Sequence, residues 1–168
     1  MIHSATNPKT FVKAAYRPRY FVFKTLSLLL IALFMSNCAD KPTHLELTVR
    51  SGQTLNPDND AISSPLMLNF YELRDAEQFS KLDFWALVDE PTKRLGGDLV
   101  SQAKHVITPK EGQTYKILFD DSAKFLGIVG SFRNIDDNAT WRYVKNLDMK
   151  TYNHAEIFID NYIIKEVE

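Results

Sequence analysis

His44-Leu-Glu-Leu-Thr-Val-Arg50 alternates without a break, with Leu45, Leu47 and Val49 on one side and Glu46, Thr48 and Arg50 on the other. A period of two is the pattern of a β-strand with one buried and one wet face. Downstream, Leu66-Met-Leu-Asn-Phe-Tyr-Glu-Leu73 sets Leu66, Leu68 and Phe70 against Met67, Tyr71 and Leu73, which predicts a central strand covered on both faces. Further strand-like runs fall around 104–108, 114–119, 125–132, 141–147 and 155–164. They are separated by Pro109-Lys-Glu-Gly112, Asp120-Asp-Ser122 and Asn134-Ile-Asp-Asp-Asn138. Seven or eight short strands at this spacing predict an all-β fold, a two-layer antiparallel β-sandwich. Gly127 and Gly130 inside one run suggest a bulge or a close sheet crossing. Between the second and third strands, Asp75 and Gln78 have capping-box spacing for a short helix over 75–82 that presents Phe79 and Leu82. Asp83 can cap a second turn carrying Phe84, Leu87 and Val88, which Pro91 should end. Such short helices are expected to close an end or edge of a sheet without forming a layer of their own.

The total charge of −1 over 168 residues conceals two segments. Lys9, Lys13, Arg17, Arg19 and Lys24 precede Cys38, where there is no acidic residue; residues 38–168 hold 15 Lys and Arg against 21 Asp and Glu, a net charge of −6. An acidic body of this size makes one domain with a sizeable core. Its charge argues against a nucleic-acid surface, whose affinity comes from Lys and Arg releasing counterions. The single cysteine excludes an internal disulfide, a Cys-rich zinc site and a CxxC redox pair.

The leader has the order of an export signal: a cationic segment, the apolar run Thr25-Leu-Ser-Leu-Leu-Leu-Ile-Ala-Leu-Phe-Met35, then Ser36-Asn37 before Cys38. Its 11 apolar-run residues fall short of the ~20 a spanning helix needs, so a transmembrane segment is the weaker reading. Met35-Ser36-Asn37-Cys38 resembles the lipobox of bacterial lipoproteins, in which the cysteine sulfur is alkylated with diacylglycerol and becomes the new N-terminus. Asn37 is bulkier than the Gly, Ala or Ser usual there. Ala39 after the cysteine resembles an outer-membrane address. The expected organisation is a signal peptide over 1–37, a lipidated tether over 38–43 and a β-sandwich domain over 44–168. The other reading of Cys38 is an incidental thiol.

Catalytic or metal-binding constellations are not apparent. His3, His44, His105 and His154 have no HxH, HxxxH or HExxH spacing, and there is no GxSxG elbow. Counting Asp58 as the first position of an EF-hand loop puts Ser63 at the obligatory glycine and Asn69 at the bidentate glutamate, so Asp58-Asn59-Asp60 fails that pattern. Asp136-Asp137-Asn138 reads as turn chemistry. Asp120 and Asp121 are adjacent and would point apart on a strand. Gly96-Gly97 lacks the lysine of a phosphate loop. What stands out is the 14-residue stretch 51–64, far longer than a hairpin loop of two to five residues. Long loops are disproportionately functional. Leu55 and Ile62 within it either pin the loop to the body or are offered to a partner.

Leu55-Asn56-Pro57-Asp58, then Ser64-Pro65 leading into Tyr71-Glu72-Leu73, resembles the TssJ outer-membrane lipoproteins of the type VI secretion system. The likeness continues through Phe79, Asp83-Phe84, Leu95-Gly96, Asp98-Leu99, Gly127-Ile128-Val129, Phe132-Arg133 and Trp141-Arg142. The resemblance implies a transthyretin-like sandwich and a non-enzymatic assembly role without a cofactor, apart from covalent lipid on Cys38. It implies attachment to the inner leaflet of the outer membrane and binding to the periplasmic C-terminal domain of the inner-membrane protein TssM, which joins TssL. The loop between the first two strands takes part in TssM binding in that family, and Leu55, Asn56, Pro57 and Asp58 match its motif. Shortening 51–64 to a tight turn is then expected to leave the fold intact. The competing class is a periplasmic lipoprotein that binds a small ligand or peptidoglycan in a sandwich cleft.

Overall fold

The computed structural model describes residues 41–136 and 138–167. The leader, Cys38 and the first tether residues lie outside them. Among the described residues eight strands form two four-stranded sheets. One carries β1 (His44–Ser51), β4 (Gly112–Leu118), β7 (Tyr152–Asp160) and β8 (Ile163–Glu166) in the order β4-β1-β7-β8. The other carries β2 (Leu66–Leu73), β3 (Leu99–Ile107), β5 (Phe125–Gly130) and β6 (Arg142–Asn146) in the order β3-β2-β5-β6. The alternation in β1 behaves as its spacing predicts: Leu45, Leu47 and Val49 are buried between the sheets with Leu66, Leu68, Phe70, Ile107, Leu126, Ile128, Ile157 and Ile159.

One pairing departs from the antiparallel pattern. β1 runs parallel to β7, His44 opposite Tyr152 and Ser51 opposite Ile159. The run at 155–164 is two strands: the chain reverses at Asn161-Tyr162, with Asn161 in the left-handed region at φ 52°. Because β1 and β7 are parallel, the β7–β8 turn lies at the same end of the sandwich as the loop leaving β1. The chain enters β1 at the opposite end.

Tyr71, Leu73 and Val129 point out of the second sheet and are apolar, so that face also needs cover. The helices α1 (Glu77–Lys81), α2 (Phe84–Asp89) and α3 (Pro91–Leu95) supply it through Phe79, Phe84, Leu87 and Leu95, which form a second core cluster. They pack on a sheet face, which corrects the expectation that they close an end or edge. Asp83 caps α2 as its spacing predicts, its carboxylate accepting from the Ala86 N–H at 2.8 Å. Asp75 instead accepts from Glu77 N–H at 2.7 Å and α1 begins at Glu77. Pro91 does not merely end α2. It opens α3 at the first helical position, where its missing N–H costs nothing. Arg142 fixes the insertion from below: its guanidinium donates to the carbonyls of Phe79 and Leu82, both at 2.9 Å, and lies 4.4 Å from the Trp141 ring centre. Tyr71 OH donates to Leu87 O at 2.9 Å, and burial pushes its pKa up to about 12.

The glycines of β5 answer to close approach, and the bulge lies elsewhere, in β3 at Val100, opposite the Glu72–Leu73 step of β2. A Cβ on Gly127 would stand 2.7 Å from Phe79, so the missing side chain is what lets that ring seat on the sheet.

Candidate partner-binding loop

The long connection from β1 to β2 is folded back on the body. Gly52 admits the Asp160 carboxyl group where a Cβ would otherwise sit, 2.2 Å away. That carboxylate accepts from both the N–H and the hydroxyl of Thr54 at 2.9 Å. Leu55 is fully buried and belongs to the inter-sheet core. Asn56 is 4% exposed and left-handed at φ 47°, a conformation Asn tolerates better than most residues. Its amide donates to Pro65 O at 2.9 Å, its side-chain oxygen accepts from Arg133 N–H at 2.8 Å, and its own N–H donates to Asn161 O at 2.9 Å. Tyr162 OH donates to Pro57 O at 2.8 Å. Three segments of the same end are thus knotted together: the loop, the β7–β8 turn and the chain after β5.

Beyond Pro57 the loop closes on itself. The Asp58 carboxylate accepts from the N–H groups of Asp60 (3.0 Å) and Ile62 (2.9 Å), while Asp58 and Ile62 pair through Asp58 N–H and Ile62 O at 3.0 Å. Ser64 N–H returns to Leu55 O at 3.0 Å. Asp58 therefore spends its charge on backbone donors, which is turn chemistry and not cation binding. What the apex presents outward is Asn59, Asp60, Ala61 and Ile62, all exposed, with Ile62 62% exposed.

Of the motif Leu55-Asn56-Pro57-Asp58, the first two side chains are inside the body and the last two are half-buried. They shape and hold the apex. The two apolar residues of the loop have opposite roles: Leu55 pins and Ile62 is offered. Excising 51–64 would remove a core leucine and the Asn56 clasp, so the expectation that the fold survives such a deletion does not hold. No sequence signal separated these roles, since burial of Leu55 depends on how the loop folds back.

The remaining candidates stay apart. His44 stacks on Tyr152, His105 packs against Phe70 and Tyr115, and His154 is exposed on β7. Asp136 and Asp120 accept from the N–H groups two residues on, Asn138 (2.9 Å) and Ser122 (2.8 Å). The Ser122 bonds hold the Asp120 carboxyl below its usual pKa. Among the described residues no three His, Cys, Asp or Glu side chains are grouped to hold a metal ion. The sheets part where edge strands β3 and β4 face each other, leaving a cleft of about 440 Å³ whose lining includes Phe70, His105, Tyr115, Ile117 and Leu126. The opposite edge is closed by the Lys145–Glu166 ion pair at 2.6 Å.

A family model described as type VI secretion lipoprotein, VasD, EvfM, TssJ matches residues 43–162. Among solved structures the chain is similar to the type VI secretion lipoprotein TssJ1 of Pseudomonas aeruginosa, at 32% identity and TM-score 0.72, over 75% of this chain and 95% of that one. The fold is shared with Serratia marcescens Lip, described as a membrane-bound component of the type VI secretion system, at 20% identity and TM-score 0.70, over 76% and 99% of the two chains. It is shared too with a chain in a structure described as the TssM C-terminal domain from EAEC, at 24% identity and TM-score 0.64, over 75% and 98%. No curated protein sequence matches. With a family model matching residues 43–162 and a TssJ structure at 32% identity covered over 95% of its own length, the chain belongs to the type VI secretion lipoprotein family TssJ.

Proposed function

We propose that this chain is a non-enzymatic outer-membrane lipoprotein that holds the periplasmic C-terminal domain of TssM, and TssL through it, to the outer membrane. Lipid on Cys38 supplies the attachment on the periplasmic side, and the apex 59–62 supplies part of the docking face. The observation that carries this reading is the polarity of the sandwich. The chain enters at His44, and the rigid loop with an exposed Ile62 stands at the other end of β1. Eight residues of strand separate those ends by about 25 Å, which directs the apex away from a membrane-tethered N-terminus. A structural match to a chain in a TssM structure is consistent with that partner.

The test substitutes the apex and leaves its supports in place. Ile62→Asp should keep the melting temperature, because surface changes away from packed features usually stay within about 0.5 kcal/mol. It should weaken capture of the TssM periplasmic domain by the full-length protein about tenfold or more, the scale expected when a central contact is lost. Undiminished capture would move the docking face elsewhere. The cleft between β3 and β4 favours the second reading, a small-ligand or peptidoglycan site. That reading predicts that the same substitution leaves ligand binding untouched.

A further inference from the structure

The outer face of the β4-β1-β7-β8 sheet is polar along most of its length. Glu46 lies beside Lys116 and His154, and Thr48 beside Thr114 and Glu156. Its terminal row is different. His44 is flanked directly by Leu118 on β4 and Tyr152 on β7, and the His44 and Tyr152 rings stack at 4.7 Å and 5°. Leu118 is 60% and Tyr152 69% exposed, and Met149, in the turn before β7, is exposed at the same end. Elsewhere on this face Phe158 lies under Lys165, and Ile163 and Val167 are exposed singly along the β8 edge, whereas three adjacent side chains in one row make an apolar, aromatic strip that asks for a cover.

Its position says what the cover is. Thr43 is buried and clamps the incoming chain: its carbonyl accepts from Phe119 N–H at 3.0 Å and its hydroxyl from Lys150 N–H at 2.8 Å. The tether therefore leaves the body beside this row. Five residues lie between Cys38 and His44, and even fully extended the six steps from one to the other reach only about 21 Å. An amphipathic aromatic surface within that reach of an acylated residue fits the headgroup layer of a bilayer, where tyrosine rings settle with their hydroxyls in water. We propose that Leu118, His44 and Tyr152, with Met149, rest on the phospholipid surface next to the anchor. This contact orients the sandwich so that the 59–62 apex points away from the bilayer. The inference rests on the reading that Cys38 carries lipid.

The single native cysteine makes the test clean. In the lipidated full-length protein, Tyr152→Cys or Leu118→Cys introduces the only free thiol, which can carry an environment-sensitive fluorophore. Thr48→Cys, two rows along the same face, and Ile62→Cys serve as controls. In vesicles of phosphatidylethanolamine and phosphatidylglycerol, labels at 152 and 118 should shift to the blue and lose about half their emission to nitroxide lipids, as for groups seated at the headgroup boundary. Labels at 48 and 62 should remain as in water. Protein that floats with the vesicles but shows labels at 152 and 118 as wet as at 48 would overturn the contact while leaving the anchor standing. Shielding of those labels only when a protein partner is added would overturn the contact in the same way. Protein that does not float with the vesicles would overturn the anchor, and the contact with it.

Discussion

Replacing Cys38 with serine is expected to transfer essentially all of the protein from the membrane pellet to the soluble periplasmic fraction and to abolish incorporation of labelled palmitate. Each acyl methylene placed in a bilayer contributes about 0.8 kcal/mol, so one chain is marginal and two or three make a lasting anchor. Among the described residues nothing else substitutes for that. Residues 38–168 carry a net charge of −6, which gains nothing from an anionic surface. No helix among the described residues is long and apolar enough to cross a membrane. The Leu118–His44–Tyr152 row is a contact of a few side chains, able to orient an anchored body and too small to retain a free one. A serine variant that sediments with the outer membrane as before would sink the lipoprotein reading.

Truncating Leu55 to alanine should lower stability by about 2–5 kcal/mol, the range for deleting a fully buried leucine side chain from a packed core. For a domain of this size that corresponds to a fall in melting temperature of roughly 10 °C. Leu55 sits in a loop, and the usual expectation for a loop residue is indifference. Here it is fully buried in the same cluster as Leu47, Leu66 and Ile159. Asn56→Ala should cost less, about 1–3 kcal/mol, by leaving the buried partners of its amide unpaired. Both variants should loosen the apex and so weaken partner capture indirectly. Ile62→Asp should do so without thermal cost. Unchanged melting of Leu55→Ala together with lost capture would make Leu55 a contact residue and contradict its role as a pin.

Much of this fold was legible because one face of each strand is buried and the other is not. Leu45, Leu47 and Val49 announced β1, and the doubly apolar Leu66–Leu73 announced a strand with cover on both sides, which it has except at Met67, 41% exposed. Asp83 announced its helix because an N-cap is a local hydrogen bond within three residues. Illegibility began where the deciding contact is distant in sequence. The parallel register of β1 with β7 depends on which strand fills the sheet beside it, and nothing local to either strand encodes that choice. β3 begins at Leu99, several residues before its apolar signal, because Ser101, Gln102 and Lys104 lie exposed on an edge strand. The reversal at Asn161-Tyr162 interrupts an apolar run without a glycine and is marked only by Asn161, the residue type that accepts a left-handed backbone. Pro91 was ambiguous for a physical reason: proline stops a helix it would sit inside and suits the first turn of the next. At the candidate site the motif 55–58 was readable, but its direction was not. Which of Leu55 and Ile62 faces in is decided by the clasp between Asn56, Pro65, Arg133 and Asn161, residues spread over more than half the chain.

Amide hydrogen exchange of the full-length protein, with and without the TssM periplasmic domain, is the measurement that bears most directly on the docking face. The apex amides at 59–62 should become protected on complex formation, with smaller changes in the β7–β8 turn that holds the loop through Asn161 and Tyr162. Exchange at Glu46 and Thr48, on the far face of β1, should not change. Protection confined to the β3–β4 cleft, with 59–62 exchanging as in the free protein, would contradict the account.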